Sequence, residues 1–239
     1  MTKRGYLPTD EREFSGLAVK KLYQAGQDLY YLLNHGYKMK GASTFVGNHY
    51  LLSERQRLCL TRAIASKESI EHRKEKEIKW IPEGSTISVD GFNTIITLEI
   101  ALSESLLLRC MDGAIRDLAG LRGTYHLIDK TQSAILLLGD MLEKNKVKEV
   151  VFYVDAPVSN SGKLKQCILE NLTPFCFDVK VETIRQVDST LKTLDYVVSS
   201  DAIILDQCRS WINLNQRIID SYKKEYAFID FTHGITNDT

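Results

Sequence analysis

Four aspartates carry the clearest chemical signal in this 239-residue chain: Asp90, Asp112, Asp155 and Asp201. Each stands at or just beyond a short aliphatic run: Thr86-Ile87-Ser88-Val89, Leu106-Leu107-Leu108-Arg109-Cys110, Val150-Val151-Phe152-Tyr153-Val154 and Tyr196-Val197-Val198. Such runs read as strands, and open parallel sheets bind ligands beyond the carboxyl ends of their strands. Aspartates distant in sequence would then meet at one edge. Carboxylates a few Å apart repel, which raises a pKa or calls for a cation. The hard ions Mg²⁺ and Mn²⁺ take oxygen ligands of this kind and bridge them to phosphates. Two such ions about 3.5–4 Å apart can activate a water and stabilise the leaving oxygen of a phosphodiester. The competing reading of each aspartate by itself is a helix cap.

The residues around these acids are polar turns. In Asp90-Gly91-Phe92-Asn93, glycine allows a tight strand-to-helix turn, and Asn93 can cap the helix or orient a carboxylate or water. After Asp155, Ser159-Asn160-Ser161-Gly162 opens a helix whose backbone N–H groups can receive a phosphate, with Lys163 and Lys165 just beyond. Ser199-Ser200-Asp201 offers the same choice between capping and ligand binding. Arg109, Arg116 and Arg122 flank Asp112 and Asp117, either to hold phosphates or to pair with those acids. Other chemistries lack their motifs. There is no G-x-G-x-x-G after a strand, no P-loop, no H-E-x-x-H and no nucleophile elbow. A dehalogenase-type phosphohydrolase would need Asp-x-Asp, and Phe92 stands two residues after Asp90.

The elements that must position these residues follow from periodicity. An i, i+3, i+4 stripe from Phe14 to Leu33 predicts one long helix, with Asp10 and Glu13 as a capping box and Gly36 ending it. Residues 37–50 read as an ordered loop, and Ser53 with Gln56 caps a further helix. The charged stretch 67–79 reads as a solvated helix or linker, and Pro82-Glu83-Gly84-Ser85 marks a boundary. Beyond it, strands at 86–89, 106–110, 147–154, 177–184, 196–198 and 228–229 alternate with helices at 93–103, 124–144 and 161–171. That alternation predicts a parallel-sheet α/β domain of Rossmann-like type over 82–239, preceded by a small all-α domain over 1–81.

Charge divides along the same line. Residues 1–80 hold 15 Lys and Arg against 9 Asp and Glu, and residues 81–239 hold 16 against 22. A basic module could meet phosphates while an acidic one holds metal ions, or the two halves simply attract each other. In the basic module, Lys38, Lys40, His49, Arg55, Arg57 and Arg62, interleaved with Phe45 and Tyr50, could grip a nucleic-acid backbone; a solvated helix face over core aromatics competes. The longest apolar run, 134–138, falls far short of the roughly 20 residues of a membrane span. The charged N-terminus does not resemble a signal peptide, so a cytoplasmic location is expected. The five cysteines show no C-x-x-C spacing and read as buried free thiols.

Val89-Asp90-Gly91-Phe92-Asn93, Val154-Asp155 and Ser199-Ser200-Asp201 together resemble the acidic pattern of PIN-like nucleases, especially their NYN branch, over residues 86–210. The whole chain also resembles a prokaryotic family that joins a small helical domain to such a module. The resemblance implies a parallel α/β sheet with aspartates at its carboxyl edge, Mg²⁺ or Mn²⁺ as cofactor, and RNA as substrate and partner. It makes Asp90, Asp155 and Asp201 metal ligands with Asn93 beside them, and Asp112 or Asp117 the further acid. Lys163, Lys165 or Arg116 would steady the phosphate. An acidic α/β half lacks the basic groove of a self-sufficient RNase, so RNA would depend on the N-terminal domain. The alternative is a non-catalytic nucleic-acid or protein binding module on the same fold. No membrane partner is expected, and self-association stays open.

Overall fold

The computed structural model describes residues 3–120, 123–222 and 228–233. Five helices form the N-terminal module: α1 (Asp10–Glu13), α2 (Gly16–Asn34), α3 (Met39–His49), α4 (Glu54–Ala63) and α5 (Lys67–Lys76). The expected single helix is broken at Phe14–Ser15 because Asp10 and Glu13 are used elsewhere. The Asp10 carboxylate accepts from Leu7 N and from the Arg55 guanidinium, and the Glu13 carboxylate accepts from Ser53 Oγ at 2.6 Å. No capping box forms there, whereas Ser53 and Gln56 form one at α4. Gly36 takes φ +84°, the left-handed conformation that ends α2. The expected loop 37–50 is largely α3. Its small residues are not loop formers here: Ala42, Val46 and Gly47 are buried, and a Cβ on Gly47 would run into the Arg57 guanidinium.

The α/β region contains β1 (Thr86–Asp90), α6 (Gly91–Leu102), β2 (Leu107–Arg109), β3 (Ile115–Asp117), α7 (Thr131–Lys144), β4 (Glu149–Asp155), α8 (Ser161–Leu172), β5 (Asp178–Ile184), α9 (Val187–Leu191), β6 (Val197–Val198), α10 (Ala202–Gln207), α11 (Leu214–Ser221) and β7 (Phe228–Asp230). Four strands make a parallel sheet in the order β5-β4-β1-β6. The chain runs outward from β1 through β4 to β5 and then returns to the other side of β1, which makes a switch point between β1 and β6. Its core gathers Ile87, Val89, Phe152, Ile95, Leu138 and Ile168.

The strand expected at 106–110 does not join that sheet. It pairs antiparallel with β3 across a turn where Gly113 has φ +85°, and parallel with β7, as a separate three-stranded sheet. Asp112-Gly113 is a hairpin signal. This small sheet shares a core with the helices: Leu22, Leu29 and Leu60 pack with Leu108, Ile229 and Phe231. The expected helix 124–144 begins only at Thr131. Upstream of it, Thr124 bridges to Ser159 and the buried Tyr125 hydroxyl donates to Glu99 Oε1 at 2.7 Å. All five cysteines are free; Cys59, Cys110 and Cys208 are buried, but Cys176 is exposed. Among the described residues, no helix is long and apolar enough to cross a membrane.

Candidate functional site

Three of the expected aspartates end neighbouring elements of the parallel sheet. Asp90 ends β1, Asp155 ends β4 and Asp201 follows β6, and all three line one cleft of about 780 Å³. Asp90 is buried, accepts from Ser199 Oγ at 2.9 Å and caps α6 by accepting from Asn93 N at 3.3 Å. Burial pushes its carboxyl up to about 7; the Ser199 and Asn93 hydrogen bonds oppose that, and the negative charges of Asp201 and Asp155 add to it. Asp201 caps α10 through Ile203 N at 2.7 Å and Ile204 N at 3.3 Å. Asn93 also lines the cleft. Its Oδ1 accepts from both Ser200 N and Ser200 Oγ at 2.8 Å, which ties the β6–α10 turn to α6.

A fourth acid in the cleft, Asp188, was not singled out from sequence. It lies in α9, four residues past the end of β5, and with burial it raises the carboxyl of Asp155. The signal was available: the strand ending at Ile184 has its own carboxyl edge, and Asp188 stands just past it.

The pair Asp112 and Asp117 separates. Asp117, at the end of β3, lines the cleft. It accepts from Thr97 Oγ1 at 2.9 Å and Arg62 Nη1 at 3.3 Å. Burial raises its carboxyl, with Arg62 and Thr97 opposing. Asp112 lies in the β2–β3 turn and does not border the cleft. Arg116 Nη2 contacts its Oδ2 at 2.6 Å and Arg73 Nη1 the same oxygen at 2.7 Å, with both side chains of each pair buried. Burial would raise the Asp112 carboxyl, but the two guanidiniums outweigh it and hold it below the ordinary value. Two cations already satisfy Asp112, so it offers no free charge to a metal. Arg116 borders the cleft but is spent on Asp112, Ser200 O at 2.6 Å and Arg62 O at 3.0 Å, so it is a brace rather than a phosphate clamp.

The turn at Ser159, Asn160 and Ser161 is not part of the cleft, and neither are Lys163 and Lys165. Ser159 N donates to Gly123 O at 3.1 Å, and Asn160, with φ +65°, donates from Nδ2 to Tyr125 O at 2.6 Å. That turn closes on the 123–125 segment instead of on the strand ends. Arg109 pairs with Asp220 and Asp230, and Arg122 falls outside the described residues. Of the expected basic grip, only Arg62 borders the cleft. Arg55 holds Asp10 and Leu118 O, and Arg57 holds Leu52 O and Asn48 Oδ1.

Asp90, Asp155, Asp188 and Asp201 thus line the cleft with no arginine committed to them among the described residues: Arg62 is on Asp117, and Arg73 and Arg116 are on Asp112. An all-oxygen, uncompensated acidic edge suits a hard divalent ion. Among the described residues, however, no three His, Cys, Asp or Glu side chains are gathered as a metal-ligand group.

The family described as Domain of unknown function (DUF5616) matches residues 81–217. The chain belongs to the DUF5616 family. Within this DUF5616 segment lie all four uncompensated acids, as well as Asn93 and Asp117. The family described as Protein of unknown function (DUF434) matches residues 21–76, which supply the opposite wall of the cleft through residues such as Leu33, Tyr37, Met39 and Arg62. The chain is 34% identical over 206 residues to Uncharacterized protein MJ0935 of Methanocaldococcus jannaschii, an alignment covering 84% of this chain and 98% of that relative. No solved structure matches this chain significantly.

Proposed function

We propose that this DUF5616 chain is a divalent-metal-dependent nuclease on a PIN-like fold, hydrolysing phosphodiester bonds of RNA in the cytoplasm. One observation carries the reading: Asp90, Asp155, Asp188 and Asp201 line a single cleft, where burial with the charges of Asp201 and Asp155 raises the Asp90 carboxyl, and burial with the charge of Asp188 raises that of Asp155. Asp90, Asp155 and Asp201 would hold Mg²⁺ or Mn²⁺. Bound there, the ion would polarise the phosphate and acidify a water.

The chain's own residues prepare that chemistry. Ser199 fixes one oxygen of Asp90, and Asn93 fixes the turn that presents Asp201. Arg116 braces the same turn from below through Ser200 O. With its carboxyl near 7, Asp90 can take up or release a proton near neutrality when no ion is bound. Of the two candidates for the further acid, this reading takes Asp117, which lines the cleft, over Asp112, which does not.

The test is cleavage of a fluorescent single-stranded oligoribonucleotide in Mg²⁺ or Mn²⁺, together with Mn²⁺ titration by calorimetry. Cleavage should fall by roughly 100-fold or more in Asp90→Asn and Asp155→Asn, since even outer-shell changes at metal sites cost about 10–100-fold. Undiminished cleavage in folded variants would sink the site. A second reading, a non-catalytic RNA-binding module, is favoured by the lack of a gathered ligand group among the described residues. RNA binding without cleavage in either metal would select it.

A further inference from the structure

The two walls of the cleft differ in chemistry. One carries the strand-end carboxylates; the other, from the helical module, is mixed, with Leu33, Tyr37 and Met39 giving apolar surface beside the polar Thr61, Arg62 and Arg73. Tyr37, in the α2–α3 connection, is 60% exposed, and Ile203, in α10, is 55% exposed. Two large apolar side chains thus stand in solvent at the border of one concavity. On the lining of one cleft they offer apolar surface to a ligand.

The arginines of the cleft cannot track a polyanionic backbone. Arg62, Arg73 and Arg116 are bonded to Asp117, Asp112 and Asp206. A duplex gripped through its phosphates needs a series of available cations, and this cleft lacks them among its described residues. The volume of about 780 Å³ also belongs to small-molecule sites rather than to a duplex groove.

We infer that the helical module supplies a nucleobase subsite: the cleft takes one unpaired nucleotide, its base against Tyr37, Leu33 and Met39 and its phosphate toward the carboxylate edge. The phosphate half rests on the nuclease reading above; the base half rests on the exposed Tyr37 with Leu33 and Met39 on the cleft lining. The ligand is a single unpaired nucleotide, either free or as the end of a single strand. The helical module is then a wall of the site that selects unpaired bases, not a separate backbone grip.

Binding is measured by fluorescence anisotropy in Ca²⁺, using a labelled single-stranded hexaribonucleotide, its duplex, and an abasic hexamer of the same length. The single strand should bind better than the duplex. Tyr37→Ala should weaken it about tenfold, as expected for one lost stacking contact, while Tyr37→Phe retains it. The abasic hexamer should not respond to Tyr37→Ala, and Phe45→Ala, an exposed aromatic outside the cleft, should change nothing. Competition by adenosine monophosphate at equal concentration identifies a free nucleotide as the ligand; competition only by the unlabelled hexamer identifies a strand end. Equal binding of duplex and single strand, or indifference to Tyr37→Ala, overturns the inference. If Asp90→Asn abolishes cleavage while Tyr37→Ala is silent, the subsite fails and the nuclease stands. Tyr37-dependent binding without any cleavage gives the converse.

Discussion

Asp112 was one of two candidates for the further acid, and its replacement separates a structural role from a ligand role. Its carboxylate accepts from Arg116 Nη2 at 2.6 Å, Arg116 Nη1 at 3.0 Å, Arg73 Nη1 at 2.7 Å and Ala114 N at 3.1 Å. Asp112→Asn keeps the volume but leaves one acceptor oxygen, and its amide N–H₂ then faces a guanidinium. Arg73 keeps Asp206, and Arg116 keeps Ser200 O and Arg62 O, so both stay partly satisfied. Removing one partner of a buried ion pair costs about 3–5 kcal/mol. In a chain of this size that lowers Tm by roughly 6–20 °C, at about 2–4 °C per kcal/mol. The folded carboxyl titrates below its unfolded value, so its contribution is full above the unfolded pKa and is lost as pH falls through the folded one. The gap between wild type and variant, read by denaturant unfolding, should be constant above about pH 5 and narrow in acid. A gap under about 1 kcal/mol at pH 7.5, or one that widens in acid, would refute the argument. Loss of Mn²⁺ uptake in the folded variant would return Asp112 to the site.

Asp90 predicts the opposite pH dependence. In chelator, its native carboxyl at about 7 is protonated over a range where the unfolded one, near 3.8, is ionised, so stability falls as pH rises between those values, by up to roughly 4 kcal/mol. Asp90→Asn should flatten that fall in an unfolding series from pH 4.5 to 7.5; an unchanged slope would remove Asp90 as its source. Gly91→Ala would put a Cβ 3.0 Å from Tyr153 O and from Val154 Cγ2 at the β1–β4 junction. The expected loss is about 1–3 kcal/mol despite better helix propensity, with weaker Mn²⁺ uptake as Asp90 and Asp155 are forced apart. Wild-type stability in Gly91→Ala would show that the junction gives way at no cost.

The convergence of Asp90, Asp155 and Asp201 was legible because each strand announces itself locally. Thr86-Ile87-Ser88-Val89 and Val150-Val151-Phe152-Tyr153-Val154 are β-rich runs bounded by polar turns, and a parallel sheet sends their carboxyl ends to one side. The run at 106–110 is equally β-rich, yet it enters a different sheet. Local pattern specifies that a strand forms but not which neighbour it pairs with, and the Asp112-Gly113 turn folded it back on β3. That one pairing removed Asp112 from the edge and gave it to Arg73 and Arg116, residues 39 and 4 positions away.

The same division runs through the rest of the molecule. The chain by itself determined that a helical basic segment precedes an alternating α/β segment, because amphipathic periods and turn residues act within a few residues of themselves. It also placed Asp90 and Asp155 at the ends of their strands. Only the tertiary structure decided which charges remain unpaired. Arg55, Arg62, Arg73 and Arg116 look interchangeable with free phosphate binders in sequence, but in the fold each is paired with an aspartate. Burial makes such pairing obligatory, since an unpaired charge cannot leave water cheaply. Among the described residues, the packing left Asp90, Asp155, Asp188 and Asp201 without an arginine partner, on the same cleft as Tyr37.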